Sequence, residues 1–167
     1  MGAEQTERAV VGEVTVPAGL AEVWAAWTTE EGIKSFFAPS CRIELEPGGP
    51  YEIYFNLDAP AGERGGEGVR VLAVQSQKMF SFTWNAPPTL PDVRGQRTHV
   101  VLRFYEIGPE STRVTLRHDG WGEGGQWDDA YSYFENAWNK VVLPRLAYRF
   151  KYGPVDWQNP PDLGGAR

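Results

Sequence analysis

Residues 127–149 read WDDAYSYFENAWNKVVLPRLAYR. The stretch has no glycine, and its large apolar residues return with a helical period. Trp127, Tyr131, Phe134, Trp138 and Val142 stand at i, i+4, i+7, i+11 and i+15, which is one continuous helix face. Eight of the 22 aromatic residues lie between 127 and 152. Such a face needs a broad apolar partner to bury it. Pro144 falls inside the pattern, removes one backbone donor, and is expected to bend the helix, at a cost of about 3 kcal/mol if nothing compensates.

The partner is written in the preceding residues. Val10, Val14 and Val16 alternate with polar residues and stop at Pro17, which predicts a first strand. Leu20, Val23, Trp24 and Trp27 give a helical segment over 18–28, and Thr29 is the expected N-cap of a second short helix carrying Ile33, Phe36 and Phe37. Cys41-Ile43-Leu45 and Tyr51-Ile53-Phe55 alternate around Pro47-Gly48-Gly49-Pro50, which predicts a hairpin. Strands are expected over 69–75 and 78–85, turned at Ser76-Gln77, and over 98–107 and 112–118, turned at Gly108-Pro109-Glu110. Between them, 58–68 and 86–96 read as long polar loops rich in Gly or Pro. The order β-α-α-β-β-β-β-β-β-α predicts an α+β fold with helices on one face of an antiparallel sheet. The whole of 1–167 is expected to form a single domain, with irregular tails at 1–7 and 154–167.

Composition removes several functional classes. The net charge is −6 and no Lys/Arg cluster is present, which argues against nucleic acid and anionic membrane. Cys41 is the sole cysteine, so neither an internal disulfide nor a cysteine zinc site is expected. No apolar run reaches the ~18 residues of a membrane span. The acidic start lacks the core of a signal peptide, and a cytoplasmic location is expected. Met1-Gly2 through Thr6 fits a lipidation pattern, but no polybasic segment follows to support it.

Four stretches resemble a known family. Val23-Trp24 with Trp27-Thr28 is similar to its first helix, and Phe36-Phe37-Ala38-Pro39 to a segment that ends in proline. Leu45 to Gly49 followed by Tyr51 resembles its Gly-Gly hairpin, and Phe80 to Trp84 with Thr112 to Leu116 its later strands. Together, from about Val10 to Phe150, they resemble the START/Bet v 1-like (SRPBCC) superfamily. Within it they resemble single-domain relatives of the C-terminal domain of the activator of Hsp90 ATPase. Ala137-Trp138 departs from the family's usual Gly-Trp. The resemblance implies a helix-grip fold: a curved antiparallel sheet of about six to seven strands around a long C-terminal helix, with two short helices between strands 1 and 2. The eukaryotic activators carry an additional N-terminal domain with no counterpart in this sequence, so Hsp90 activation is not expected to carry over.

The resemblance also implies a cavity between sheet and helix for a small hydrophobic or aromatic molecule. Its expected lining is Phe37, Tyr51, Phe82, Trp84, His118, Trp121, Tyr131, Phe134 and Trp138, with loops 58–68 and 86–96 at the mouth. The same aromatics also suit a packed core. His118 shares parity with Val114 and Leu116 and should point inward, whereas His99 should face solvent. That makes His118 the one catalytic candidate, with a Tyr or, conditionally, Glu135 as partner. The resemblance implies the matching enzymatic alternative, a cyclase, dehydratase or hydrolase acting on polyketide-like substrates. A core histidine held by hydrogen bonds is the simpler expectation. No metal site or cofactor is expected: HxH, HExxH, P-loop and GxGxxG patterns are absent, and Asp128-Asp129 suit a helix start. A chaperone-type module would need an apolar outer sheet face. The expected outer residues Glu13, Thr15, Arg42, Glu44, Glu52, Arg103 and Arg117 are all polar, which disfavours it. A homodimer is left open.

Overall fold

A computed structural model describes residues 7–163. The elements run β1 (Val10–Val16), α1 (Leu20–Thr28), α2 (Glu30–Phe36), β2 (Ser40–Ile43), β3 (Tyr51–Tyr54), β4 (Val71–Gln75), β5 (Met79–Trp84), α3 (Pro91–Arg94), β6 (Thr98–Gly108) and β7 (Ser111–Asp119). Helix α4 (Gln126–Asn136), a π-helical turn (Ala137–Val142) and α5 (Leu143–Tyr152) complete the order. The lipidation pattern at the N-terminus lies outside the described residues.

Five strands form an antiparallel sheet in the order β1-β7-β6-β5-β4. The β2–β3 hairpin continues it, because Tyr51 N–H donates to Val69 O (2.9 Å) and Gly48 N–H to Val71 O (2.8 Å). Alternation places Phe80, Phe82 and Trp84 of β5, Val100, Leu102 and Phe104 of β6, and Val114, Leu116 and His118 of β7 on the buried face. The helices cover that face, which is the helix-grip arrangement of an α+β fold.

The two short helices meet at close range. Thr29 Oγ1 accepts from Gly32 N–H at 3.0 Å, the expected cap. Gly32 has room for hydrogen only: a Cβ there would stand 2.2 Å from the Ala25 carbonyl oxygen.

The C-terminal helix carries a second irregularity beside its proline. Leu143 N–H donates to Trp138 O, an i→i+5 bond, so the helix widens before the proline. Pro144 then occupies the first turn of α5, where a missing N–H is tolerated. The wide turn aims both Trp138 and Val142 into the core and sends Asn139 to the sheet edge. There Asn139 Nδ2 donates to Val11 O (3.2 Å), and Tyr131 Oη donates to Ala9 O (3.2 Å). These bonds cover part of the exposed backbone of edge strand β1. Gly12 permits the approach, since a Cβ there would meet Asn139 Oδ1 at 2.4 Å.

Other expectations need correction. Leu45 and Phe55 do not extend the alternation of their strands: pairing ends at Ile43 and Tyr54, and both side chains are exposed. The loop after β5 contains a short helix, α3, started by Pro91. Residues 154–163 form no helix or strand, yet they pack: Val155 is buried and donates to Ser35 O (2.8 Å), and Trp157 Nε1 donates to Lys34 O (2.7 Å). Arg145 lies over the Trp157 ring at 5.5 Å, so the segment straps α2 to α5. The outer sheet face is also less polar than expected, with Val11, Leu72 and Tyr105 exposed among the charges.

Candidate functional site

The nine expected lining residues meet in one network of rings between sheet and helix. Tyr51 of β3 stands 4.6 Å from Phe82 of β5, and Phe82 stands 5.6 Å from Trp84. Trp84 and Phe37 each contact Trp138, at 5.6 and 5.7 Å. Trp138 leads to His118 (6.2 Å), which lies against Trp121 (4.2 Å) and Phe134 (5.0 Å). Tyr131 closes the series on Trp121 at 5.6 Å. All are buried except Tyr131, which is half-buried with its hydroxyl on β1. At these positions the rings touch one another, and most pairs are edge-to-face or tilted, as aromatic quadrupoles prefer.

His118 holds the polar centre of the network. Trp138 Nε1–H donates to its Nδ1 at 3.0 Å. An indole only donates, so Nδ1 is bare and Nε2 carries the hydrogen. Nε2 therefore donates to Thr98 Oγ1 (2.6 Å), and the Thr98 hydroxyl passes its own hydrogen to Trp84 O (3.3 Å). Burial pushes the His118 pKa down to about 3, with His99 adding a lesser push. The neutral ring is thus fully used by protein partners at neutral pH. Glu135 is exposed, and Asp119 faces outward to Arg117 (3.0 Å) and His99 (3.7 Å), so neither serves His118.

Sequence reasoning missed Thr98, Trp27, Arg94 and Glu67. Trp27 is fully buried, edge-on to Phe36 (4.9 Å) and Phe37 (5.6 Å), and Tyr51 Oη donates to its carbonyl (2.7 Å). Its Nε1 has no hydrogen-bond acceptor among the described residues. By contrast Trp121, Trp138 and Trp157 each donate to a protein acceptor. The orphan is visible only in three dimensions, because the sequence marks Trp27 merely as an apolar helix position. A depression of about 590 Å³ lies on the outer sheet face, lined by Val11, Glu13, Val101, Arg103, Thr115 and Arg117 among others. It shares no residue with the ring network.

The sequence profile of the Activator of Hsp90 ATPase homolog 1-like proteins matches residues 17–151. The chain belongs to that family. That family match, together with the fold shared by solved relatives, supports a START/Bet v 1-like assignment for this AHSA1-like chain. The Aha1 dimer from Colwellia psychrerythraea is 18% identical over 87% of this chain and 98% of that one, with a TM-score of 0.66. CalU16 from Micromonospora echinospora is 19% identical over 90% of this chain and 78% of that one, at 0.64. DynU16, a protein of the dynemicin biosynthetic locus, is 21% identical over 87% of this chain, at 0.64. The chain spans about half of DynU16, 48% of its length. At these identities the likeness shows the fold alone. Among curated proteins, none matches the chain. No helix among the described residues is long and apolar enough to cross a membrane.

Proposed function

We propose that this AHSA1-like protein binds a small aromatic molecule bearing a hydrogen-bond acceptor, between the sheet and the C-terminal helix. The observation that carries the reading is the indole N–H of Trp27, buried completely and left without an acceptor among the described residues, beside Phe37. A buried unsatisfied donor costs about 1–3 kcal/mol, which a ligand carbonyl or hydroxyl oxygen would recover. Edge-on contact with Phe36 and Phe37 offers only a weak substitute. The rings from Tyr51 to Trp138 supply apolar surface, and ligand entry requires some of them to turn aside. A biosynthetic locus is named for one structural neighbour, which supports a small organic molecule as the cargo. Binding is favoured over catalysis because both ring nitrogens of His118 are committed to Trp138 and Thr98.

Native mass spectrometry of the purified protein, with extraction of whatever co-purifies, addresses the reading directly. A thermal-shift panel of aromatic ketones and phenols extends it to weak ligands. Trp27→Phe keeps the ring and removes the donor. The variant should fold with unchanged or slightly higher stability and bind the best panel ligand about tenfold more weakly. Equal affinity in both proteins would remove Trp27 from the site, and no ligand from either route would count against the reading as a whole.

A further inference from the structure

Loop 55–68 covers one end of the ring network, and most of the polar contacts that join it to loop 85–97 are made by Arg94, with Asn85 making the others. Arg94, at the end of α3, donates through Nη1 to Ala86 O and through Nη2 to Gly62 O (2.6 Å) and Gly65 O (2.9 Å). The same Nη2 lies 3.5 Å from Glu67 Oε1. The Glu67 carboxylate gathers the opposite set of groups, accepting from the N–H of Gly62, Arg64 (2.6 Å) and Gly65 (3.0 Å). The two side chains are only 14% and 19% exposed. One cation thus holds loop carbonyls, one anion holds loop amides, and each neutralises the other. Charge-assisted bonds of this kind are strong while complete, and removing either partner strands the other charge away from water.

What lies beneath the clamped loop gives it meaning. The Gly66 backbone sits on Trp84: a Cβ there would stand 3.3 Å from Cη2 and Cζ3 of that ring. Phe55, at the start of the same loop, covers Phe37 at 5.7 Å. Trp84 and Phe37 are the rings that contact Trp138. Elsewhere the interior is closed by firmer elements: Tyr131 and Asn139 bind the backbone beside and within β1, and the Val155–Trp157 strap crosses α2 and α5. Loop 55–68 rests on the rings through Gly66 and Phe55 and is otherwise held by few bonds. Among the described residues, its hydrogen bonds to the rest of the protein are those from Arg94 and Asn85, the short backbone bridge from Gly66 N–H to Ile53 O (2.7 Å), and the Glu52 carboxylate that accepts from Gly68 N–H (2.7 Å).

We propose that loop 55–68 is a lid over Trp84 and that Arg94 with Glu67 is its latch, so that the lid opens as a unit when the pair separates. That the lid admits a ligand rests on the function proposed above; the latch itself does not.

Hydrogen exchange without ligand tests the latch in Arg94→Met and in Glu67→Gln, which nearly preserves the shape of the carboxylate. The amides of Phe55, Asn56 and Gly66 are bonded to backbone oxygens rather than to the carboxylate, and in both variants they should exchange at least about tenfold faster. Amides of β6 and β7 should keep their rates, and tryptic cleavage after Arg64 should accelerate in step. Unchanged exchange at 55, 56 and 66 would overturn the latch. Uniform acceleration that includes β6 and β7 would overturn it too, since the pair would then support the whole fold. Association of 1-naphthol separates the two ideas. Faster association in the variants supports a lid over the binding space. A lid that opens in the exchange experiment, with no naphthol binding in any protein, upholds the latch and counts against the ligand reading.

Discussion

At His118 the neighbours settle the chemistry. A donor-only indole on one nitrogen and a hydroxyl on the other fix the neutral tautomer, and burial keeps it neutral. The consequence is a stability term with a definite sign. In the unfolded chain the imidazole has its ordinary value of 6.5, while in the folded chain it is held down to about 3. Above 6.5 neither state is protonated and the stabilisation is complete. As pH falls from 6.5 towards about 3, the unfolded state takes a proton that the folded state refuses, and stability is lost at up to about 1.4 kcal/mol per pH unit. Between about pH 7 and about pH 5 most carboxylates remain ionised, so this interval isolates the histidine. Urea unfolding should therefore show wild type losing about 2 kcal/mol across that interval, and His118→Leu losing almost none of it. Equal losses in both proteins would mean that the buried ring titrates normally. Parity alone revealed that His118 points inward. Its partners were not legible, because Thr98 reaches it only through the register that pairs β6 with β7, and Trp138 only through the docking of the helix.

Elements were legible where local pattern and tertiary packing ask for the same thing. The strands from Met79 to Asp119 obey their alternation because one face of each is buried along the sheet. Alternation misled at Leu45 and Phe55, where the pattern runs on after the partner strand has ended. The C-terminal helix was legible as an element, but the wide turn ahead of Pro144 was not. Asn139, within that turn, meets β1 where Gly12 leaves room for it, and no helix pattern contains that information. Close approach also sets the outcome of substitution between α1 and α2. Gly32→Ala gains helix propensity of roughly 1 kcal/mol but drives a methyl into the Ala25 carbonyl and the Ala26 backbone, which cannot swing aside as a side chain can. A net loss of about 2–3 kcal/mol is expected in chemical denaturation. A stabilised Gly32→Ala would show that the helices separate at little cost.

Across the whole molecule, the nine expected site residues do converge, and the sequence carried that much through parity and helical period. Whether converging rings line a space or fill it depends on their mutual packing, which no one-dimensional pattern encodes. Here they touch, and Arg94 with Glu67 holds the loop above them. A molecule built this way should bind by opening first. With the aromatic probe in excess, the observed association rate should rise at low concentration and then level off at the rate of lid opening. Its initial slope should fall below about 10⁵ M⁻¹s⁻¹, the lower edge of unobstructed docking. In Arg94→Met the plateau should move upward while the dissociation constant changes less, because the latch makes no ring contact with the ligand. Stopped-flow tryptophan fluorescence reads both quantities. A rate that climbs linearly with concentration towards the diffusion limit in wild type would place the ligand on an open surface, such as the depression beside Val11 and Arg117, rather than among the rings.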